Sequence, residues 1–338
     1  MVCGPSHDSG PALSVVIPVY NGAAFLPACL ASLAAQTRHD FEIVLVDDGS
    51  TDGSAAIAQA FARQDGAPPL RLIRQDNSGV SAARNRGIAE ARAPLIGFLD
   101  SDDTWEPQKV ARQLAVMERE PGVVLSYTGF GIIGQSGQDL LERSLPPGGL
   151  VGVGQLMPRN FIHTSTVIVR RSALQAVGGF DPSLRAFEDF ELWLRLAERD
   201  DPCLFGLSEV LCQYRRHETQ TTSNWQAMAE GWRAVAARLE QRHPDLWPAL
   251  RGQAMAHNLE YCASLAYNAG EIADMRRLMQ QALRAGALHV LQRRDGIIMS
   301  GIMLCSYLPR PVQLGIGRGF VSLRRCKRFV ENRLAVRP

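Results

Sequence analysis

Short apolar segments alternate with helix-like segments through the first half of this 338-residue chain. The apolar segments have the length and composition of buried strands, and they cover residues 13–19, 41–46, 70–74 and 95–99. The segments between them carry apolar residues at helical spacing, and they cover 24–35, 50–63 and 78–91. Short strands alternating with helices indicate βαβ units. The expected fold class is therefore α/β, with a mostly parallel central sheet and flanking helices.

Polar residues follow each of these predicted strands. They are Tyr20-Asn21, Asp47-Asp48, Asp76-Asn77 and Asp100-Ser101-Asp102-Asp103. Right-handed crossovers bring the carboxyl ends of parallel strands to one edge of a sheet, which is where ligands bind. We therefore expect these residues to meet in one cleft. No G-x-G-x-x-G pattern follows any of these four predicted strands, and the chain has no G-x-x-x-x-G-K-[ST] pattern, so neither a dinucleotide fingerprint nor a P-loop is indicated for this sheet.

The segment from Asp100 to Asp103 places three carboxylates directly behind a predicted strand. Their mutual repulsion is costly unless water or a cation compensates for it. Magnesium and manganese prefer carboxylate oxygens, and they often bind through one or two carboxylates together with substrate phosphates. The segment is consistent with a metal–diphosphate site. A solvated acidic turn that caps the next helix is the alternative interpretation.

Composition narrows the class of protein. A net charge of +2 makes no electrostatic case for nucleic acid as a partner. The seven cysteines are dispersed without a C-x-x-C pair, which argues against a zinc or redox motif and fits free thiols in a reducing compartment. Residues 1–10 lack the features of a secretory signal, and no run reaches the roughly 18 apolar residues of a membrane-spanning helix. We expect a cytoplasmic protein.

The character of the chain changes near Asn224, after which strand patterns stop and helical periodicity runs from Trp225 to about Arg293. The predicted organisation is a flexible leader (1–12), an α/β domain (13–224), a helical region of unknown role (225–309) and a basic amphipathic tail (310–338). From residue 318 onward the tail has seven basic residues and one acid, Glu331. This pattern suggests peripheral attachment to an anionic membrane, at the inner face of the plasma membrane. A terminal helix docked on the protein, with solvated charges, is an equally open alternative.

Six motifs occur in a fixed order over residues 13 to about 216. They are Val15-Val16-Ile17-Pro18-Val19-Tyr20-Asn21, Val46-Asp47-Asp48-Gly49-Ser50-Thr51-Asp52, Asn77-Ser78-Gly79 with Ala83-Arg84-Asn85, Phe98-Leu99-Asp100-Ser101-Asp102-Asp103, Gly178-Gly179-Phe180-Asp181, and Glu188-Asp189 with Leu192-Trp193-Leu194-Arg195. Together they resemble the family 2 glycosyltransferases, which have a GT-A fold. The resemblance does not extend to the final third of the chain. It implies an inverting, metal-dependent hexosyltransferase that uses a nucleotide-diphosphate sugar, with UDP as the expected nucleotide and Mn²⁺ or Mg²⁺ as the cofactor.

The resemblance implies a nucleotide-binding set made of Pro18, Tyr20, Asn21, Asp47, Asp48, Asn77, Arg84 and Asp100. Tyr20 offers a flat face to a base, and Asp48 can accept a hydrogen bond from a uracil ring N–H. Asp47 is expected to order the turn, and capping of the next helix by Asp and Ser is an alternative role for this segment. An arginine such as Arg84 on a helix is otherwise most often solvated or ion-paired.

The segment Asp100-Ser101-Asp102 matches the Asp-x-Asp motif of the family. Asp102 is the expected direct metal ligand, and Asp100 is expected to face the ribose or a metal-bound water. Asp103 is expected to contact the metal-ligating residues and not the metal itself. The metal would neutralise the leaving diphosphate as a Lewis acid.

The pair Glu188-Asp189 is the candidate catalytic base, with Asp189 preferred and Glu188 second. The resemblance implies this role, since an acceptor hydroxyl must lose its proton as it attacks the anomeric carbon. Two acids at a helix start would otherwise only complement the helix dipole. Three further residues are candidates for contacts with the acceptor or a phosphate: His163, Trp193 and His217.

The expected activity is sugar transfer to a saccharide or lipid-linked acceptor in bacterial surface polysaccharide or lipopolysaccharide synthesis. A nucleotidyltransferase on a similar sheet is one alternative. It would need a Gly-rich, basic phosphate loop after the first strand, and Ala23-Ala24-Phe25 has no basic neighbour. The other alternative is a non-catalytic sugar-binding or partner-binding module whose helical region is the interaction surface.

Overall fold

A computed structural model describes residues 10–199, 201–217 and 224–308 of the chain. Its contacts divide the chain into two compact units, Met1–Glu218 and Thr219–Pro338. Most of the predicted leader and the whole of the predicted tail lie outside the described residues.

The described part of the first unit contains ten strands and seven helices. The strands are β1 (Leu13–Val19), β2 (Phe41–Asp47), β3 (Leu70–Arg74), β4 (Leu95–Phe98), β5 (Thr104–Trp105), β6 (Leu125–Ile133), β7 (Asp139–Ser144), β8 (Gly149–Val151), β9 (Ile168–Arg170) and β10 (Leu204–Arg215). The helices are α1 (Leu26–Ala34), α2 (Ser54–Ala62), α3 (Val80–Glu90), α4 (Lys109–Arg119), α5 (Val153–Leu156), α6 (Arg171–Val177) and α7 (Glu188–Ala197). A 3₁₀ turn spans Thr164–Thr166.

The strands form one sheet in the order β3-β2-β1-β4-β9-β6-β10-β5, with β7 beside β6 and β8 beside β10. Strands β3, β2, β1 and β4 are parallel, with Val15 opposite Ile43 on one side and Gly97 on the other. Strand β9 runs antiparallel to β4 and β6, while β6 and β10 are parallel. The α/β fold class is confirmed. The parallel part is the one whose carboxyl ends carry the polar segments.

The central strands are buried because their sequences are nearly continuous runs of aliphatic residues, as expected for strands covered on both faces. Every residue of β1 and β2 is buried. Helix α3 packs closely on β1 at Gly87, where an added Cβ would overlap the side chain of Val16. Glycine is needed here for its missing side chain, and the close contact holds α3 at one distance from β1.

Two parts of the sheet differ from the expectation drawn from the sequence. The composition of segment 131–154, which is rich in Gly, Ser and Pro, favours irregular structure, yet the segment contains the end of β6, all of β7 and β8, and the start of α5. Strand β7 is largely exposed and polar, so its sequence lacks the alternation that identifies a half-buried strand. The 12-residue strand β10 was not predicted, and its pairing with β6 has two register shifts.

The second unit contains four helices in its described part: α8 (Trp225–Arg242), α9 (Trp247–Asn268), α10 (Ile272–Leu291) and α11 (Arg294–Cys305). They bury Trp232, Leu239, Ala263, Leu278 and Met279. Gly270, two residues after the end of α9, has a positive φ that allows the reversal into α10. None of the helices in the described ranges combines the length and apolar character needed to cross a membrane.

Candidate active site

The turns after β1 and β2 are joined by Asn21. This residue has a left-handed backbone, with φ of 50°, a conformation that Asn tolerates better than most residues. Its Oδ1 accepts a hydrogen bond from the N–H of Thr51 at 2.9 Å, and its own N–H donates to Ser50 Oγ at 3.0 Å. Tyr20 beside it is 56% exposed, so its ring face is available to a ligand. Pro18 is buried inside β1 and shapes the strand instead of facing solvent.

Asp47 and Asp48, at the end of β2, accept hydrogen bonds from different segments. The carboxylate of Asp47 accepts from the N–H of Ser50 at 2.8 Å and from Arg74 Nε at 3.0 Å, so it orders the turn. The carboxylate of Asp48 accepts from Gln75 Nε2 and from the N–H groups of Ser78 and Gly79, all within 2.9 Å. Asp48 therefore holds the loop that leads into α3. A carboxylate offers about four acceptor sites, and these contacts use three of them in a residue that is 3% exposed. Asn77 in the same loop is exposed.

Arg84 on α3 joins two of the predicted acids. Its Nη2 donates to Asp100 Oδ1 at 2.7 Å, and its Nη1 donates to Glu188 Oε1 at 2.9 Å. The guanidinium is buried and lies over the Phe180 ring at 5.2 Å from the centroid. Arg84 is thus a positioning residue for two carboxylates, and not a group that reaches outward for the nucleotide. Glu188 is committed to this ion pair.

We expect Arg84→Ala to destabilise the first unit by about 2 to 3 kcal/mol, because it leaves the carboxylates of Asp100 and Glu188 without their partner. Partial exposure of Asp100 keeps the estimate below the value for a fully buried pair. The measurement is urea denaturation followed by circular dichroism. Arg84→Lys should also destabilise, since one ammonium cannot reproduce the two-armed contact.

Arg86 is the matched control on the same helix. It is exposed and pairs with Glu90 one turn away at 2.9 Å. A pair of this kind contributes at most about 0.5 kcal/mol, so Arg86→Ala should leave the denaturation midpoint almost unchanged. Equal losses from Arg84→Ala and Arg86→Ala would contradict the positioning role of Arg84.

In the acidic turn after β4 (residues 100–103), Asp102 contacts His217. His217 Nε2 lies 2.9 Å from Asp102 Oδ2, and the imidazole stacks on Phe25 with centroids 4.7 Å apart. Burial, and next to it repulsion from Asp100, raises the pKa of Asp102. A carboxylate disfavoured in this way gains from a nearby cation. The hydrogen bond and the ring contact place His217 beside the acidic turn.

No group of three or more His, Cys, Asp or Glu side chains in the described ranges could hold a metal ion unaided. Mg²⁺ and Mn²⁺ do not require such a cage, because they bind through one or two carboxylates, water and substrate phosphates. Asp102 and Asp100, at the end of β4, are the carboxylates that could supply such a donor set. The residues present therefore fit a metal that arrives with its nucleotide.

The carboxylate of Asp103 supports the acidic turn through hydrogen bonds to other segments. Its carboxylate accepts from Ser165 Oγ at 2.6 Å and from the N–H of Arg215 at 2.9 Å. Ser165 Oγ in turn accepts from the N–H of Asp100 at 3.1 Å. These contacts tie β4 to the 3₁₀ turn and to the end of β10. Full burial raises the pKa of Asp103 well above its ordinary value.

His163 stands at the start of the 3₁₀ turn. Its Nδ1 accepts from the N–H of Ser165 at 3.3 Å and lies 3.9 Å from an oxygen of Asp103. Its ring packs against Tyr214 with centroids 4.6 Å apart. Burial lowers the pKa of His163 to about 4, so the imidazole is neutral at physiological pH. These contacts describe a residue that supports the turn and keeps part of its side chain exposed.

Asp189 sits in the first turn of α7. Asn160 Nδ2 lies 3.3 Å from both of its oxygens, and Thr164 Oγ1 donates to Oδ2 at 3.2 Å. Burial, with repulsion from Glu188, raises the pKa of Asp189 to about 7. The residue nevertheless keeps part of its surface exposed. A partly accessible carboxylate with a pKa near the working pH suits a general base.

Trp193 does not belong to the cleft. It is fully buried, donates from Nε1 to the carbonyl of Ile162 at 3.3 Å, and packs against Phe98 and Phe180. The expected contact with an acceptor is therefore wrong for this side chain, because it has no surface to offer. Asn160 was missed by the sequence reasoning, since nothing local in its segment connects it with Asp189, 29 residues away.

The comparisons with known proteins agree on one family. The family model described as "Glycosyl transferase family 2" matches residues 14–178. A putative teichuronic acid biosynthesis glycosyltransferase of Bacillus subtilis, TuaG, is 30% identical over 234 residues, which cover 69% of this chain and 90% of the relative. An uncharacterized glycosyltransferase of Rickettsia prowazekii is 28% identical, covering 70% of each protein.

Solved structures show the same fold. S. aureus TarS in complex with UDP-GlcNAc matches with a TM-score of 0.57 and 19% identity, over 91% of this chain and 92% of that one. The mannosyltransferase PcManGT from Pyrobaculum calidifontis, in complex with GDP-Man and Mn²⁺, matches with a TM-score of 0.58 and 18% identity, over 92% and 84%. The expected GT-A fold is thereby confirmed.

Proposed function

The chain belongs to glycosyl transferase family 2, and from that premise we propose that it transfers a hexosyl group from a UDP-sugar to a saccharide or lipid-linked acceptor, with inversion. The proposed process is the synthesis of a bacterial surface polysaccharide or lipopolysaccharide. The likeness to TuaG, whose name assigns it to teichuronic acid biosynthesis, supports this process. A lipid-linked acceptor would be met at the inner face of the plasma membrane, which is the place of action that we propose.

The observation that carries the proposal is the ion-paired bridge from Asp100 through Arg84 to Glu188. It joins the acidic turn after β4 to the start of α7, where Asp189 is located. A transferase needs these two functions side by side: a group that holds the diphosphate end of the donor, and a base that faces the acceptor. The two segments to which we assign these functions are distant in sequence, and the buried guanidinium of Arg84 links them.

The proposed reaction is a single displacement. The acceptor hydroxyl oxygen forms a bond to the anomeric carbon while the bond from that carbon to the diphosphate oxygen breaks. The hydroxyl proton passes to the carboxylate of Asp189, and the electron pair of the broken bond leaves with the nucleoside diphosphate. Because attack and departure are on opposite faces of the sugar, the configuration at the anomeric carbon inverts.

The donor side is supported by residues from three turns. The exposed ring of Tyr20 offers a stacking face for the base, Asp48 is the proposed acceptor for a ring N–H, and Asn77 is exposed beside it. We propose that Asp102, with Asp100, holds Mn²⁺ or Mg²⁺, and that His217 contacts the metal or a phosphate. A bound divalent ion would neutralise charge on the departing diphosphate. The complexes of TarS with UDP and of PcManGT with Mn²⁺ support this choice of ligands.

The test is a screen of nucleotides and nucleotide sugars against the full chain, with and without Mn²⁺. We expect UDP to raise the melting temperature only when the metal is present. At about 100 times the dissociation constant the rise should be on the order of 5 °C. A UDP-sugar should also be hydrolysed slowly, since water can replace the acceptor.

GDP, CMP and ATP are the matched controls in that screen. A larger shift of the melting temperature with GDP would make GDP the nucleotide of the proposed donor. The proposed transferase activity would stand. Turnover of a nucleoside triphosphate with a sugar phosphate would indicate a nucleotidyltransferase instead. No metal-dependent shift with any nucleotide, in protein that is folded by circular dichroism, would count against the proposed function as a whole.

A further inference from the structure

The proposed base, Asp189, is contacted by two side chains from one short stretch of the chain, residues 160–164. Asn160 Nδ2 lies 3.3 Å from both carboxylate oxygens, and Thr164 Oγ1 donates to Oδ2 at 3.2 Å. Residues 159–163 form neither a helix nor a strand. The direction in which this carboxylate faces therefore depends on how that irregular stretch is held.

The amide of Asn160 has one orientation that satisfies its neighbours. Its Oδ1 accepts from the N–H of Ile162 at 3.1 Å, which leaves Nδ2 to face Asp189. The reversed amide would place its nitrogen against that N–H and its oxygen against a carboxylate, so both contacts would become repulsive. The carbonyl of Ile162 accepts from Trp193 Nε1 at 3.3 Å, and Trp193 lies one turn after Asp189 on α7. The stretch is thereby attached to the same helix as the carboxylate that it contacts.

A hydrogen-bond donor beside Asp189 favours the ionised form of its carboxylate. Burial and repulsion from Glu188 raise the pKa of Asp189 to about 7, and the charge of Arg84 opposes the shift. The other charged or titratable side chains on the surrounding elements are Glu191 and Arg195 on α7, Arg171 on α6, and Arg159 and His163 next to Asn160 along the chain. Asn160 adds a donor to this set without adding a charge.

We propose that Asn160 is a positioning residue for the transfer reaction, because its amide holds the carboxylate of Asp189 in the orientation that takes the proton of the acceptor hydroxyl. The inference rests on the proposed function, in which Asp189 is the base. A general base must lie within hydrogen-bond reach of the proton that it takes, and small misplacements are costly in rate. Asn160 acts through Asp189 and is not among the residues proposed to bind the donor.

Asn160→Asp separates this role from a purely structural one. The new carboxylate can still accept from the N–H of Ile162, so the local turn is kept, while the donor that faces Asp189 becomes an oxygen. Two carboxylates at such a short distance cannot readily both ionise. We expect the rising limb of the pH–rate profile for transfer to move up by at least about one pH unit. On the acid side of the limb, kcat should fall about tenfold, with the KM for the donor unchanged.

Asn224→Asp is the matched control. Asn224 Oδ1 accepts from the N–H of Ala227 at 3.0 Å at the start of α8, and Asp can make the same contact. The change of charge is the same as at residue 160, but transfer and its pH–rate profile should equal those of the parent. If Asn160→Asp fails to fold by circular dichroism, Asn160→Ser takes its place, since Ser keeps an acceptor for the turn and loses the amide donor.

The double variant shows whether Asn160 acts through the base. In the Asp189→Asn background, Asn160→Asp should cause no further loss of transfer, because the group that it positions is already absent. Losses that multiply in the double variant would give Asn160 a separate role and would overturn the proposal.

A titration without substrate supplies a second readout. Protein labelled with ¹³C at the Asp carboxyl groups is followed by NMR, and the signal of Asp189 is the one that Asp189→Asn removes. In Asn160→Asp, one of the two facing carboxylates should titrate at least about one pH unit above Asp189 of the parent. If the parent transfers sugar and Asn160→Asp changes neither the pH–rate profile nor the titration, the inference is wrong and the proposed function stands. If the parent transfers sugar from no donor, the proposed function fails, and this inference fails with it.

Discussion

Replacing Asp189 by Asn is expected to lower sugar transfer by about 1000-fold while leaving metal-dependent UDP binding in place, because loss of a general base costs about 10² to 10⁴ in rate. The amide is nearly isosteric with the carboxylate, so the contacts with Asn160 and Thr164 can rearrange locally. Transfer is measured with saturating donor, and binding by titration calorimetry of UDP with Mn²⁺. A variant that retains full transfer would remove Asp189 from the mechanism.

The pH dependence supplies an independent readout of the same role. The pKa of Asp189 is raised to about 7 by burial, so its carboxylate is protonated below that pH and ionised above it. A base acts in the ionised form, so the transfer rate should rise with pH through about 7. Thr164→Val removes a hydrogen bond that lowers this pKa. The rising limb should then move to higher pH, an effect that a purely structural role would not produce.

Glu188→Gln is the control that separates the two neighbouring acids. Gln can still accept a hydrogen bond from Arg84, so the bridge to Asp100 is weakened and not lost. We expect a reduction of about tenfold or less, with the rising limb of the pH profile retained. If Glu188→Gln abolished transfer and Asp189→Asn did not, Glu188 would be the base.

Replacing Asp102 by Asn is the second change with a large expected effect. It should abolish the Mn²⁺ dependence of UDP binding and lower transfer by on the order of 1000-fold, since a metal that neutralises a leaving group contributes several kcal/mol. The reason is that the amide supplies no negative charge to a divalent ion. Thermal shift and transfer assays, each with a manganese titration, measure the two effects.

The Asp102→Asn variant should be at least as stable as the parent protein, although its activity is lower. In the folded protein, burial and Asp100 raise the pKa of Asp102 above its ordinary value, so the ionised form is disfavoured there relative to the unfolded chain. Asn removes that penalty and can still contact His217. We expect a melting temperature equal to or above that of the parent. Asp139→Asn, at an exposed acid paired with Arg143, serves as control and should keep metal-dependent binding.

Local patterns were sufficient to predict the parallel part of the sheet. Strands β1 to β4 and helices α1 to α3 lie within a few residues of the segments expected from periodicity, because both helices and buried strands repeat over short distances. The polar residues at the ends of those strands followed directly from that alternation. The identities of Asp48, Asp102 and Asp189 as candidates came from the motifs, and their assigned roles remain proposals.

Contacts between distant segments could not be predicted in the same way. Lys109 opens an amphipathic helix and would be expected in solvent, yet it is buried, with its ammonium 4.5 Å from the centroid of the Trp105 ring and donating to the carbonyl of Thr166 at 2.9 Å. Burial lowers the pKa of Lys109 to about 7. Similarly, Arg84 matched a nucleotide motif, and only the tertiary structure pairs it with Glu188, 104 residues away.

The tight packing of Gly87 against Val16 has a consequence for how this site can change over generations. Because α3 carries Arg84 one turn before Gly87, any side chain at that glycine would push the helix outward and drag the guanidinium away from both carboxylates. Gly87 is not among the residues proposed to bind the donor, yet it should tolerate fewer substitutions than Tyr20, which is 56% exposed. Substitution of Gly87 would then impair catalysis through the position of Arg84, although Gly87 takes no part in the reaction.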